Sequence, residues 1–221
     1  MERILDILLS TLALVFLFPI FLLVILILKL TGEGEVFFYQ KRVGLNFQTF
    51  YLIKFVTMFK NSPFTGSGTI TLKDDPRILP FGRFLRKTKI NELPQLINIL
   101  VGDMSVIGPR PQTDRCFQAF PYEYQKEIIK VKPGLSGIGS IVFRNEEEML
   151  ENNKNPEIFY DEILMPFKGK LESWFVSKKS IKIYISLIVL SIWKILYPRS
   201  QLIWKIYQDL PPVTEDLKKY V

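Results

Sequence analysis

The stretch GRFLRKTKINELPQLINILVGDMSVIGPRP, residues 82–111, decides how this chain is interpreted. It joins a basic run, an amide and a carboxylate at a predicted helix start, an apolar helix and a proline-stiffened turn. One helical face is predicted from the spacing of Leu93, Leu96, Ile97 and Leu100. Asn91 is the predicted N-cap of this helix, and Pro94 falls in its first turn, where a missing N–H costs little.

The composition indicates an anionic partner and excludes histidine chemistry. The chain carries 29 Lys+Arg against 22 Asp+Glu, a net charge of +7, which favours phospholipid, nucleotide or nucleic acid as a partner. Because it has no histidine, His-based triads and HExxH zinc sites are excluded. The single cysteine, Cys116, leaves no internal disulfide and fits a reducing compartment.

An apolar segment precedes this stretch. Residues 7–28 are interrupted only by Ser10, Thr11 and Pro19. About 22 residues at about 1.5 Å each reach about 33 Å, enough to cross a bilayer core. Two interpretations remain open: a spanning anchor, or a helix that bends at Pro19 and returns to the side from which it entered.

The rest of the chain is predicted to form both strands and helices. Residues 36–39 and 47–54 read as extended pieces joined by a turn at Gly44, and residues 61–71 read as a mobile loop. Residues 117–131 and 144–153 read as helices. Residues 181–197 are apolar but contain Lys182 and Lys194, which favours an amphipathic helix in the membrane interface; packing on the domain's own core is the alternative.

The candidate chemistry lies at the start of the central helix. Arg83 and Arg86 precede it, and helix N-termini suit phosphate binding, although a basic run is often only a solvated face. Glu92 could bind a divalent metal or attack phosphorus, or it could merely complement the helix dipole. Asp75 is a further candidate metal ligand, although Asp before Pro also opens ordinary turns.

These residues resemble the bacterial sugar transferase family, the small monotopic phosphoglycosyl transferases. The resemblance lies in QKRVGLNFQTFYLIKFVTM (40–58), DPRILPFGRFLRKTKINELPQLINILVGDMSVIGPRP (75–111) and KPGLSGIGSI (132–141). It implies transfer of a sugar 1-phosphate from a UDP-sugar to polyprenyl phosphate with release of UMP. It also implies Mg²⁺ as cofactor and two steps through a phosphosugar bound to an enzyme carboxylate.

The resemblance further implies a fold and a location. The expected fold is a compact, mainly helical α/β domain on the cytoplasmic face of the bacterial inner membrane, partly sunk in one leaflet. The expected division is a re-entrant membrane helix over residues 1–33, broken near Pro19, a cytosolic catalytic domain over 34–177, and an interfacial helix and tail over 178–221. The sequence leaves the oligomeric state open, a homodimer included.

Matched to the family motifs, Lys54, Arg83, Arg86, Arg110 and Pro111 fall on substrate-binding segments. Glu92 falls on the second acid of the family's Asp-Glu dyad, with Glu92 and Asp75 as the candidate metal ligands.

The first acid of the dyad is replaced by Asn91, and the family's arginine after Lys-Phe is Val56. An amide cannot be a carboxylate nucleophile, although it can still cap a helix, so Asn91 at this catalytic position keeps the architecture and puts the chemistry in question. An active variant that uses Glu92 or another carboxylate such as Asp75, an engineered or inactive form, and a substrate-binding relative without turnover remain open.

Other functions are weighed against this one. A catalytically impaired substrate-binding relative or scaffold in glycan assembly is the main alternative. An ordinary glycosyltransferase would release UDP, but the chain has little room for a nucleotide-binding Rossmann unit. A nucleic-acid binder would rest on charge alone, so no nucleic-acid partner is expected.

Overall fold

The computed structural model describes residues 1–60, 62, 75–151 and 153–220 of the 221-residue chain. The predicted loop at 61–71 therefore lies outside the described residues, Ser62 excepted. The strands are β1 Phe37–Val43, β2 Thr49–Phe55, β3 Ser105–Ile107 and β4 Gly134–Ser136. The helices are α1 Glu2–Leu30, α2 Pro80–Lys87, α3 Gln95–Val101, α4 Asp114–Gln118, α5 Tyr122–Ile128, α6 Ile138–Val142, α7 Glu146–Glu151, α8 Pro156–Ile158, α9 Met165–Lys178, α10 Ile181–Leu196 and α11 Leu202–Ile206. The mainly helical α/β architecture predicted from the sequence is confirmed.

Strands β1 and β2 form the predicted antiparallel pair. Phe37 lies opposite Phe55 and Val43 lies opposite Thr49. The connection contains Gly44 and a 3₁₀ turn, Leu45–Phe47, in which Asn46 and Phe47 take positive φ. Aromatic and branched residues are frequent in both strands, as is usual for residues of a half-buried sheet. The hairpin carries Lys54 near the end of β2.

Helix α3 is fixed to β2 by one buried amide. Asn98 Nδ2 donates to the Tyr51 carbonyl at 2.8 Å, and Asn98 Oδ1 accepts from the Ile53 N–H at 3.0 Å. The side chain thus pairs with the strand edge as another strand would. This contact holds the segment that carries Glu92 beside the strand that carries Lys54.

Replacement of this amide should destabilise the fold. Asn98→Leu leaves the Tyr51 carbonyl and the Ile53 N–H without their partner, and each unsatisfied buried group costs about 1–3 kcal/mol. We expect the free energy of unfolding to fall by about 2–4 kcal/mol, measured by denaturant titration in detergent. An Asn98→Leu variant as stable as the parent would contradict this role.

The start of α3 differs from the prediction. The α-helix begins at Gln95, and Asn91 lies in a preceding 3₁₀ turn, Ile90–Glu92. Pro94 has no N–H to donate to the Ile90 carbonyl, so α-helical hydrogen bonding cannot extend back through this turn. The prediction that Asn91 caps the helix is therefore wrong. The buried residues of α3 also include two polar side chains, Gln95 and Asn98.

The predicted helix at residues 117–131 is two helices. Helix α4 ends at Gln118, and α5 begins at Tyr122, directly after Pro121. Proline disfavours the helical conformation at the residue before it, which ends the first helix. The single-helix prediction is wrong for this reason.

Strands β3 and β4 form a short parallel pair that the sequence analysis missed. Ser105 lies opposite Gly134 and Ile107 lies opposite Ser136. The backbone of β4 also contacts the turn that follows β3, where the Gly134 N–H donates to the Pro109 carbonyl at 2.8 Å. A Cβ on Gly134 would lie 2.1 Å from the Gly108 nitrogen, so this approach needs glycine. The pair fixes the turn that carries Arg110.

Helix α1 contacts the domain near both of its ends. Buried Asp6 accepts hydrogen bonds from Ser105 Oγ at 2.9 Å, the Val106 N–H at 2.7 Å and Tyr184 Oη at 2.6 Å. Toward the other end, Phe21 packs edge-on against Phe55 of β2. Both halves of the helix therefore lie on the same domain.

The same helix is long and apolar enough to cross a membrane, judged by length and composition. It runs without interruption through Pro19, so the break near this proline that the resemblance implies does not divide it. Its outward side exposes apolar residues along its length, among them Leu8, Val15, Phe16, Leu23 and Leu26. A re-entrant course through the membrane stays a prediction.

Helix α10 forms where the sequence predicts a helix, and it is apolar on both its buried and its exposed side. One side packs into the core through Tyr184, Leu187 and Leu190, and the other exposes apolar residues, among them Ile185, Val189, Ile192 and Leu196. Ser180 caps its N-terminus by accepting from the Ile183 N–H. Its location in the membrane interface stays a prediction.

Candidate active site

A cavity of about 570 Å³ opens beside the 3₁₀ turn that carries Glu92. Seven cationic side chains line it: Arg42, Arg86, Lys89, Arg110, Arg144, Lys168 and Lys194. Two carboxylates line it, Glu92 and Glu146. The excess of positive charge suits a ligand with several negative charges, such as a diphosphate.

Glu92 is the carboxylate at the centre of the predicted site. Its Oε1 lies 2.9 Å from Arg110 Nη2 and 3.6 Å from Lys54 Nζ. Its second oxygen, Oε2, has no hydrogen-bond or ion-pair partner among the described residues, and it is not a fully buried unsatisfied atom. One oxygen is thus held by two cations while the other is available to a ligand.

The charges around Glu92 set its protonation state. Burial alone would raise the pKa of its carboxyl, but the charges of Arg110 and Lys54 outweigh burial and hold the pKa well below its usual range. Glu92 is therefore ionised at neutral pH, as a nucleophile or a metal ligand requires. The negative charge of Glu92 in turn raises the pKa of Arg110.

Lys54 forms an ion pair with Glu92 but does not itself line the cavity. Burial lowers the pKa of its ammonium to about 8, assisted by the nearby charges of Arg42 and Arg110 and opposed by Glu92. Lys54 comes from β2, Glu92 from the turn before α3, and Arg110 from the turn after β3. Three separate elements thus converge on one carboxylate.

Arg42 is a site residue that the sequence analysis did not single out. Its Nη1 donates to the Pro111 carbonyl at 2.9 Å, and its Nη2 contacts Gln40 Oε1. Its Nε is buried and has no partner within the described part of the chain. Burial, together with the charge of Arg110, lowers the pKa of Arg42 to about 10. The only sequence signal for it was its place in the quoted motif at residues 40–58.

A second buried group supports the turn that carries Arg110. Burial raises the pKa of the Glu172 carboxyl of α9 to about 7, opposed by the charge of Lys168 and by the nearby backbone N–H groups of Arg110 and Gly139. Nearby, buried Lys168 forms an ion pair with Glu146 at 2.7 Å. Neither contact could be read from sequence spacing, because the partners lie on different helices.

The remaining predicted residues take different places. Arg86 lines the cavity, whereas Arg83 is exposed on α2 and is not part of the lining. Pro111 is buried and accepts the hydrogen bond from Arg42. Asn91 is buried, does not line the cavity, and its Oδ1 has no hydrogen-bond partner among the residues that the structure describes.

Asp75, the second predicted metal ligand, is engaged elsewhere. Its Oδ1 accepts from Arg77 Nε at 2.8 Å, and its Oδ2 accepts from Arg77 Nη2 at 2.5 Å. It does not line the cavity. Over the described ranges no three Asp, Glu, Cys or His side chains cluster as a metal site would require. A metal here fits only as an ion held largely by a ligand's phosphates, with Glu92 Oε2 as the available protein oxygen.

Comparison with known proteins places these residues in a family context. A model of the bacterial sugar transferase family matches residues 1–198. The exopolysaccharide production protein ExoY of Sinorhizobium fredii is 38% identical over 160 residues, covering 66% of this chain and 70% of that protein.

Two further relatives carry activities in their names. The UDP-glucose:undecaprenyl-phosphate glucose-1-phosphate transferase of Xanthomonas campestris is 36% identical over 160 residues, covering 71% of this chain and 33% of that protein. The UDP-N-acetylgalactosamine-undecaprenyl-phosphate N-acetylgalactosaminephosphotransferase of Aeromonas hydrophila is 37% identical over 145 residues, covering 64% and 34%. On the family match and the ExoY similarity, the chain belongs to the bacterial sugar transferase family.

Proposed function

We propose that this protein transfers a sugar 1-phosphate from a UDP-sugar to polyprenyl phosphate and releases UMP, the first membrane step of a bacterial surface glycan. The observation that carries the proposal is the Glu92 carboxylate, held at one oxygen by Arg110 and Lys54 and available at the other, in a cavity lined by cations. The named activities of the relatives support the reaction class.

In the first step Glu92 Oε2 attacks the phosphorus that carries the sugar. The bond from this phosphorus to the bridging oxygen breaks, UMP leaves with that oxygen, and the sugar phosphate becomes bound to Glu92. In the second step an oxygen of polyprenyl phosphate attacks the same phosphorus. The Glu92–phosphorus bond breaks, which yields the polyprenyl-diphospho-sugar and the free carboxylate.

The chain's cations position and neutralise the diphosphate. Arg110 and Arg86 line the cavity and suit phosphate oxygens, and Arg42 offers a buried N–H without a partner among the described residues. Mg²⁺, when bound with the donor, would further neutralise the diphosphate charge and would be held mainly by the donor's phosphates, because Oε2, the Glu92 oxygen that could ligate it, is the attacking atom. Asp75 is a weaker candidate because Arg77 occupies both of its oxygens.

One assay tests the reaction class. Purified protein is mixed with Mg²⁺, polyprenyl phosphate and a panel of UDP-sugars, and released UMP is measured. UMP release with one donor would support the proposal and name the sugar. UDP release would indicate an ordinary glycosyltransferase. Binding of a UDP-sugar without UMP release would favour the impaired substrate-binding relative, which the amide at Asn91 makes the second candidate.

We further propose a monotopic placement on the cytoplasmic face of the inner membrane. Contacts of both halves of α1 with one domain support it, because a helix that leaves the domain to cross a bilayer would not return to β3 and β2. The test uses single cysteines at Ile4 and at Thr31 in a Cys116→Ser background. Labelling of both from the cytoplasmic side alone is expected; labelling of the Ile4 position from the opposite side would contradict it.

The pKa of Lys54 predicts an alkaline limb in the pH profile, in which kcat/KM falls as the pH rises. Below about pH 8 Lys54 is protonated and helps to hold Glu92; above it the proton is lost and the site carries one positive charge less. We expect kcat/KM for UMP release to fall as the pH rises through about 8. In Lys54→Arg the limb should vanish up to pH 10, since arginine stays protonated.

Titration of Lys54 does not itself destabilise the fold in this range. The folded pKa of Lys54 lies below the value of about 10.4 expected for an unfolded chain, so the unfolded state binds more protons between these values. This group therefore makes the fold more stable, not less, as the pH rises through the same window. An identical limb in Lys54→Arg would assign the titration to another group.

A further inference from the structure

Helix α10 carries a lysine in its last turns, where its neighbours are apolar and exposed. Ile192, Trp193, Ile195 and Leu196 expose between 39% and 67% of their surface. Lys194 lies among them, yet it is part of the cavity lining, together with Ser191 and Ile195 of the same helix. The cavity that contains Glu92 therefore extends to the edge of an exposed apolar surface.

Lys194 has no acidic partner among the described residues. Its Nζ donates to the Ser200 carbonyl at 2.8 Å, which leaves donors of the ammonium group for a ligand. Burial lowers its pKa, and so does the nearby charge of Arg144, which also lines the cavity without an ion pair to a described acid. Two like charges held close together at a cavity wall gain from an anion between them.

Hydroxyl groups lie on the same wall. Ser136 Oγ of β4 and Ser191 Oγ of α10 are 2.7 Å apart, and both residues line the cavity. Ser191 Oγ donates to the Leu187 carbonyl at 2.7 Å and therefore accepts from Ser136 Oγ, so these hydroxyls make the wall polar while the cations supply the donors for a phosphate. A lysine that only stabilised the turn after α10 would not need the second cation.

We propose that Lys194 and Arg144 bind the phosphate of the lipid acceptor, while its hydrocarbon chain lies along the exposed apolar residues of α10. This inference rests on the proposed function, and it separates two parts of one cavity: Arg110 and Glu92 for the donor, Lys194 and Arg144 for the acceptor. An amphipathic ligand fits this end because charge and apolar surface meet there, whereas a UDP-sugar has no use for the apolar surface.

The test compares Lys194→Met with Lys182→Met, which removes the same charge from an exposed position on the same helix outside the cavity. Binding of a short-chain polyprenyl phosphate, the matching polyprenol and UDP is measured in detergent. Lys194→Met should weaken binding of the polyprenyl phosphate about ten- to a hundredfold and leave polyprenol and UDP unchanged. Lys182→Met should change none of the three, and Lys194→Arg should restore most of the affinity.

Other outcomes overturn the inference. Equal losses for polyprenyl phosphate and polyprenol would show a structural role for Lys194, and a loss for UDP would place it in the donor part. Phosphatidic acid is measured as a fourth ligand, and a loss of its binding equal to that of polyprenyl phosphate would show a general headgroup site. Failure of the proposed function is distinguishable, because a parent protein that releases no UMP with any donor could still show the selective effect on lipid phosphate.

Discussion

Glu92→Gln is expected to abolish UMP release, with a fall in kcat of about 10³-fold or more. The amide has nearly the same shape and can still accept a hydrogen bond from Arg110, but it cannot attack phosphorus as a carboxylate does. A chemical readout sharpens this prediction. With donor and no acceptor, the parent should gain the mass of one sugar phosphate at Glu92, measured by intact and peptide mass spectrometry, and Glu92→Gln should not.

Asn91→Ala is the matched control at the adjacent position. Asn91 is buried and does not line the cavity, so its loss should lower turnover less than the loss of Glu92. Melting temperatures of both variants show whether each protein is folded at the assay temperature, since Glu92→Gln leaves Arg110 and Lys54 with one charge fewer between them. Near-normal turnover of Glu92→Gln would remove Glu92 from the mechanism.

The position of Asn91 bears on how the chain differs from its family pattern. In the family's dyad the first acid stands where this chain has an amide, and here that amide is buried outside the cavity lining whereas Glu92 lines the cavity. A carboxylate at this buried position would require a partner that the described residues do not offer Asn91 Oδ1. The variant Asn91→Asp, assayed beside the parent, shows whether the first acid adds activity to this site.

Local patterns in the sequence predicted several elements well. Two extended pieces joined by a turn at Gly44 were predicted where β1 and β2 lie, and the apolar run of residues 181–197 predicted a helix where α10 lies. The errors fell at prolines. Pro94 delays α3 because it lacks an N–H, and Pro121 divides the helix predicted over 117–131 because it restricts the residue before it.

Polar contacts between residues far apart in the chain could not be predicted from the sequence. Asn98 binds β2, Asp6 binds β3 and α10, and Lys168 pairs with Glu146, yet each contact joins residues tens of positions apart. Family motifs brought Lys54, Glu92 and Arg110 into one expected site, which the structure places together. Spacing alone could not assign Arg42, Arg144 or Lys194 to the same cavity.

Arg110→Met should lower kcat/KM for UMP release by about 10²–10³-fold. Arg110 is the cation closest to Glu92, at 2.9 Å, and it lines the cavity that would hold the diphosphate. Its loss removes charge that stabilises the departing UMP, and it also weakens the hold on Glu92 Oε1. Arg110→Lys keeps the charge but not the planar pair of donors, so its activity should lie between those of the parent and Arg110→Met.

Arg83→Met is the charge-matched control. It tests whether an arginine matters because it lies in the cavity lining or only because it belongs to the family motif. Arg83 belongs to the same family motif stretch, but it is exposed on α2 and does not line the cavity. Loss of a solvated surface charge should change kcat/KM by less than about threefold. If Arg83→Met fell as far as Arg110→Met, the donor would have to bind along the outer face of α2, and the cavity around Glu92 would not be the catalytic site.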